Sequence, residues 1–265
     1  VTNEEREIMR AVERFAAGVA VPVLHEYEPE KVDQVGTGTL FDVEGRLILI
    51  TASHIFDDIR AEDLVLPSTN TKELHSIGPY ELYRADHEDI DIAIVELRHP
   101  PAIERAREGW RILSLDDIAE PSDNGHFILT GYPSERLTRV GGLLGGSLLT
   151  LHTERLAALP QGVKISAADD IDLLLRYDQT GLNIDDAATA VPKLPGCSGA
   201  AVWEYSEPDG MVFWRAESCL KVVGVQSSYF DKKGFFRAKR GKYVRGMIEK
   251  MLASEAAEVR TRHDP

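Results

Sequence analysis

Three residues in this chain have the types and the order needed for nucleophilic catalysis: His54, Asp91 and Ser198. A serine hydroxyl is a poor nucleophile near neutral pH. It becomes effective when an imidazole accepts its proton and a carboxylate fixes that imidazole's tautomer. Ser198 lies in LPGCSGAAVW, residues 194–203, where Gly196 and Gly199 bracket Cys197 and Ser198. Glycine gives up more conformational freedom on folding than any other residue, so two of them around one hydroxyl predict a backbone bent for a purpose. Gly196 would let the turn carry backbone N–H groups to the oxyanion of a tetrahedral intermediate, and Gly199 would clear space behind the serine. One such donor stabilises a transition state by about 2.7 to 4 kcal/mol. His54 ends the run GTGTLFDVEGRLILITASHIFDD, which reads as two strands joined by a turn at Glu44 and Gly45. Asp91 heads the apolar run Ile92 to Val95. It is preferred to Asp89, which shares its face in an extended strand, because the apolar run starts directly after Asp91.

Other chemistries fit less well. The α/β-hydrolase pattern requires G-x-S-x-G and the order Ser, acid, His. Here position 200 is Ala200, and the only histidine after Ser198 is His263, in a polar tail. Cys197 adjoins the serine, but the Gly-x-Ser-Gly frame gives Ser198 the nucleophile position. The cluster ADHEDID lacks a second histidine at ligand spacing and reads as a solvated loop, so no metal is expected. His25, His75, His87, His99, His126, His152 and His263 show no paired spacing and read as structural or solvent-facing. GGLLGGSLL has no helix after its glycines, so it predicts a hairpin and not a dinucleotide fingerprint. Trp203 and Trp214 read as core aromatics on neighbouring strands. No cofactor is called for.

These residues need a scaffold, and the apolar pattern predicts one made of strands. Residues 4–17 place Ile8, Ala11, Val12 and Phe15 on one helical face. From Val19 onward about a dozen short apolar runs follow between turn signals: VAVPVL, GTGTLF with GRLILITA, DLVLP, DIAIVEL, RILSL, HFILTGYP, GGSLLTLH, DLLLRYD, AAVWEY, MVFWRA, LKVVGVQSS and GFFRAK. No helix alternates regularly with them, which predicts antiparallel barrels or sandwiches and not βαβ units. Tyr243 to Val259 returns to helical spacing. The expected units are an N-terminal helix (1–18), a first barrel (19–110), a second barrel (111–242), and a C-terminal helix and tail (243–265). The clearest break between strand sets is LRHPPAIERAREGW, with Pro100 and Pro101.

Composition narrows the partners. The formal net charge of -14 opposes sequence-independent nucleic-acid binding. The basic stretch Lys232, Lys233, Arg237, Lys239, Arg240, Lys242 and Arg245 reads as a solvated strand edge running into a helix. No run reaches the 18 or more apolar residues of a membrane helix. The acidic, charged start does not resemble a secretory signal, and two cysteines make no disulfide framework, so a reducing cytoplasm is the expected compartment.

With these residues identified, the chain resembles the trypsin-like serine peptidases of the chymotrypsin superfamily, in particular its bacterial, disulfide-free members. The resemblance rests on GTGTLF with GRLILITASHIF, on DIDIAIVEL, on GYP at 131–133, on PGCSGAAVW, on VVGVQSS, and on GFFRAKRGKYVRGMIEKML. It runs from about Val19 to Leu252. It implies an all-β fold of two antiparallel six-stranded β-barrels with short N- and C-terminal helices. His54 would be the general base, Asp91 its orienting partner and Ser198 the nucleophile, with the oxyanion hole at the amides of Gly196 and Ser198. Gln226, Ser227, Ser228 and Leu194 would bind an extended peptide substrate. The chain departs from the family at Cys197, where many secreted members carry the aspartate that captures a new N-terminus, and at Ala200, where glycine is usual. The implied function is an intracellular, regulated serine endopeptidase with a protein or peptide substrate. Its bacterial relatives include modules of stress and defence systems. Two other readings follow the same residues: a silent protease-like module that binds or senses peptides, and a latent peptidase ordered by an activating partner or a fused domain.

Overall fold

The computed structural model describes residues 2–29, 31–69, 73–140, 143–207 and 214–263. Helix α1 (Asn3–Val19) opens on Thr2. The Thr2 side chain accepts the Glu5 N–H while the Glu5 carboxylate accepts the Thr2 N–H, a reciprocal cap that satisfies two otherwise orphaned donors. The helix passes directly into β1 (Ala20–Glu28). Six more strands follow: β2 (Lys31–Val43), β3 (Arg46–Thr51), β4 (Leu64–Pro67), β5 (Leu74–Ser76), β6 (Tyr80–Arg84) and β7 (Ala93–Leu97). Their order in the sheet is β5-β4-β1-β2-β3-β7-β6, and every pairing is antiparallel. The β2–β3 turn is made by Glu44 and Gly45, both at positive φ (54° and 84°), the backbone that a two-residue hairpin requires.

The break at Pro100 and Pro101 is itself a helix, α2 (Pro100–Gly109), with proline in its first turn, where a missing N–H does no harm. Ala102, Ala106 and the following Trp110 pack into the core of the first sheet. The second sheet contains β8 (His126–Gly131), β11 (Leu149–Thr153), β12 (Asp172–Arg176), β15 (Ala201–Tyr205), β16 (Leu220–Phe230) and β17 (Phe235–Arg240), in the order β11-β8-β15-β16-β17-β12. Two hairpins stand apart from it: β9 (Leu137–Val140) with β10 (Leu143–Gly146), and β13 (Thr180–Leu182) with β14 (Ala188–Ala190). A short helix α3 (Ala216–Cys219) precedes β16, and α4 (Gly241–His263) closes the chain.

The molecule is mostly β, with two curled antiparallel sheets forming half-barrels of seven and six strands. The expected six-stranded first barrel therefore has one strand more, because β5 adds to the edge of β4. Each half-barrel has its own interior, and a third core lies between them. There Phe41, Ile48 and Ile50 of the first sheet meet Ile128, Trp203 and Val222 of the second, sealed by Phe15 of α1 and by Ile248 of α4.

Three local expectations change. The run RILSL is no strand: Leu113 crosses between the sheets, exchanging bonds with Leu40 and Asp42, and a 3-10 turn follows at Leu115–Asp117. Half of MVFWRA, residues 211–213, lies outside the described residues, and Trp214 stands in no strand but donates to the Tyr205 hydroxyl at 3.1 Å. The basic stretch is not wholly solvated. Lys239 is buried against Asp172, with Nζ and Oδ1 2.6 Å apart, because residues 235, 237 and 239 face away from the barrel interior that Phe236 and Ala238 fill.

Candidate active site

Sheet register brings His54 and Asp91 together. β3 and β7 run antiparallel with Thr51 opposite Ala93, so the chain just beyond β3 and the chain just before β7 leave the same end of the ladder. His54 lies on the 3-10 turn Ser53–Asp57, three residues past Thr51, and Asp91 lies two residues before Ala93. The imidazole Nδ1 is 2.7 Å from Asp91 Oδ2, and the His54 backbone N–H donates to Oδ1 at 2.9 Å. Both carboxylate oxygens thus fix one residue in ring and main chain. The rival Asp89 does not reach His54; its backbone N–H donates to His87 Nδ1.

The charges reinforce one another. The bond to Asp91 raises the His54 pKa above its ordinary 6.5, against the opposing pull of burial. Burial pushes Asp91 upward, but the bonds from the His54 ring and backbone outweigh it and hold the carboxyl below its usual range. The 3-10 turn is braced from below by Arg84, which donates to Ser53 Oγ at 2.7 Å and pairs with Asp57 at 2.5 Å.

Ser198 sits in a turn that leads into β15 and is docked on both sheets. Within the turn, Cys197 N–H donates to Leu194 O and Ala200 N–H to Cys197 O, both at 2.8 Å. Gly199 N–H donates to Gln226 O, and Gln226 N–H returns a bond to Ala200 O. Across the cleft, Thr37 N–H of β2 donates to Ser198 O at 2.8 Å. Among the described residues the N–H groups of Gly196 and Ser198 have no acceptor, whereas those of Cys197 and Gly199 do. Gly196 holds φ at 92° and Gly199 at 86°, where any side chain would be strained. A Cβ on Gly199 would also come within 2.1 Å of Thr51 Oγ1 and 2.6 Å of Ala52 N, so the turn lies directly on the segment leading to His54. Gly36 gives the same placement from the other side: a Cβ there would lie 2.4 Å from Ile55 Cδ1 and 2.7 Å from Ser198 O.

Thr37 ties this arrangement together, and the sequence reading gave it no role. Its hydroxyl donates to Gly196 O at 2.9 Å and accepts the Tyr132 N–H at 3.0 Å, while its carbonyl accepts from Thr51 Oγ1. Gln34 adds bonds from its side-chain amide to Gly196 O and Tyr132 O. The signal for Thr37 was present in GTGTLF, where threonine follows glycine twice in a segment that is buried at every position.

The residues expected to meet a substrate separate into two pairs. Ser227 and Ser228 lie on β16 past Val225, where pairing with β15 has ended while pairing with β17 continues after a bulge. That leaves one main-chain edge of Ser227 to Phe230 without a strand partner among the described residues. Leu194 is instead buried in the second core, and the Gln226 side chain is buried with its main chain taken up by Gly199 and Ala200.

Cys197 is fully buried, and burial pushes its thiol up to about 12, which leaves no thiolate to act as nucleophile. His126 and His152, which showed no paired spacing in sequence, do pair in space: Nε2 of one faces Nδ1 of the other at 2.8 Å across β8 and β11. Burial lowers both pKa values, that of His152 to about 4. Among the described residues no three His, Cys, Asp or Glu side chains gather as a metal site.

No family model matches the sequence, and no curated protein matches it. Solved structures do. The scabies mite inactivated protease paralogue S-I1 superposes with a TM-score of 0.57 at 17% identity, over 91% of this chain and 96% of that one. A structure from work on the intrinsically disordered VPg protein of Sesbania mosaic virus covers 84% of this chain and 87% of that chain, at 15% identity and a TM-score of 0.47. The first of these superpositions shows a chymotrypsin-like fold.

Proposed function

We propose that this chain is a serine endopeptidase working through His54, Asp91 and Ser198. The observation that carries the reading is the His54–Asp91 pair, bonded through both carboxylate oxygens, at the same end of the cleft as a turn that leaves the Gly196 and Ser198 amides free. A peptide would add alongside Ser227 to Phe230 as an extra strand, which sets its scissile carbonyl beside Ser198. His54 Nε2 takes the Ser198 hydroxyl proton as Oγ forms its bond to the carbonyl carbon, and the resulting oxyanion accepts bonds from the two free amides. The protonated imidazole, stabilised by Asp91, gives its proton to the leaving amine as the C–N bond breaks. Water then attacks the acyl-enzyme, with His54 again as base, and releases the acid and Ser198.

A second reading is a silent peptide-binding module, and the name of one structural neighbour, an inactivated protease paralogue, favours it. Against it stands the presence of all three residues in the chain, with the His54 imidazole already bonded to the Asp91 carboxylate. A fluorophosphonate probe separates the two. It is expected to label the wild-type chain at Ser198, to give no adduct with Ser198→Ala, and to react at least 100-fold more slowly with His54→Ala. A folded wild-type chain that resists the probe overturns the endopeptidase reading.

A further inference from the structure

The strand edge offered to a substrate lies beside a cation that its neighbours do not fully neutralise. Arg237 of β17 stands opposite Ser228 of β16, and its side chain faces away from the barrel interior. Nε donates to Ser228 Oγ at 2.9 Å and Nη1 donates to Ser166 O at 3.0 Å. Nη2 has no acceptor among the described residues, and the side chain is 21% exposed, enough for a ligand to reach it.

The surrounding charges leave this guanidinium positive. Asp172 Oδ1 lies 3.7 Å from Arg237 Nε, but it is engaged at 2.6 Å by Lys239 Nζ, and both members of that ion pair are almost fully buried. Two cations share one carboxylate, so Asp172 and Lys239 cancel and Arg237 retains its charge toward solvent. In the segment whose Ser166 carbonyl Arg237 holds, Asp170 is taken up by Lys242 Nζ and the Tyr243 hydroxyl. Ser228 is two residues along β16 from Gln226, whose main chain bonds the turn carrying Ser198; with the bulge between them the spacing is at most about 7 Å at strand rise. A side chain on the substrate residue bound beside that turn can span such a gap.

Resting on the endopeptidase reading above, we infer that Arg237 selects an acidic side chain, Asp or Glu, on the residue whose carbonyl Ser198 attacks. The carboxylate accepts charge-assisted bonds from the free edge of the guanidinium, with the Ser228 hydroxyl beside it. The formal net charge of -14 repels an acidic peptide at a distance, but screening confines that field to about 8 Å at physiological salt, so the local cation governs the final approach.

The test uses fluorogenic peptides identical except for Glu, Asp, Gln, Ala or Arg before the scissile bond. Glu or Asp is expected to exceed Gln at least tenfold in kcat/KM, Arg237→Gln to abolish that ratio, and Arg237→Lys to keep part of it. Fluorescence anisotropy of the same peptides with Ser198→Ala is expected to show the same order in binding. A wild-type chain that takes the fluorophosphonate but cleaves Gln peptides as well as Glu peptides overturns this inference and leaves the endopeptidase reading intact. An acidic preference that survives in Arg237→Gln removes Arg237 as its source, and a chain that neither labels nor cleaves overturns both.

Discussion

At the scale of residues, the proposed catalysis depends on protonation. Only a neutral imidazole can take the Ser198 proton, so kcat/KM should fall as pH drops through the His54 pKa. Asp91 raises that pKa above 6.5, and the acidic limb is therefore expected above 6.5. In Asp91→Asn the charge that favours imidazolium is gone, so the limb should move to lower pH while kcat falls by roughly 10⁴, as the wrong tautomer is stabilised. A pH–rate profile of both proteins checks this, and an unmoved limb would mean that another group controls it. His54, Asp91, Ser198 and the two bracketing glycines were all legible in the sequence, because each sits at the edge of an apolar run where polar groups have a reason to be. Thr37 and Arg237 were quoted within motifs but left without a role, since Gly196 and Tyr132, which hold Thr37, and Ser166, which holds Arg237, lie far away in the chain.

At the scale of elements, α1 acts as a wedge. Val12 and Phe15 enter the core between the half-barrels, and the Phe15 ring meets Trp203 edge-on with centroids 5.6 Å apart. Arg111 lies over the other side of that ring, its guanidinium carbon 4.9 Å from the centroid. At its start the helix also reaches the β13–β14 hairpin, where Arg6 donates to Ile184 O at 3.1 Å and pairs with Asp186 at 2.7 Å. Removing Phe15 leaves a cavity where three elements meet. Phe15→Ala is expected to lose about 3 to 5 kcal/mol of stability in urea titration. A loss below about 1 kcal/mol would mean that the helix merely rests on the barrels. The helix itself was evident from its apolar face, but that face could not show which surface receives it.

At the scale of the whole molecule, the core shared by both half-barrels couples them. Phe41 and Ile50 from one sheet and Ile128 and Val222 from the other are buried by the same contacts, so neither half keeps its interior if the other opens. Tryptophan fluorescence, which reports Trp110 in the first half-barrel together with Trp203 and Trp214 at the shared core, and far-UV circular dichroism are therefore expected to give one coincident urea transition. Separated midpoints would show that the halves fold independently. This coupling matters for function because the proposed site is divided: His54 and Asp91 belong to the first sheet, and Ser198 with Arg237 to the second. Local sequence by itself determined the sheet strands other than β5 and β6, the turn at Glu44 and Gly45, the N-terminal helix and the polar residues at strand ends, since hydrophobic period and glycine placement act over a few residues. Only the tertiary structure decided which ends meet, that β16 has an open edge beyond Val225, and that Lys239 neutralises Asp172 while Arg237 stays charged. Those outcomes depend on register and burial between segments distant in the chain, and no short stretch of sequence contains that information.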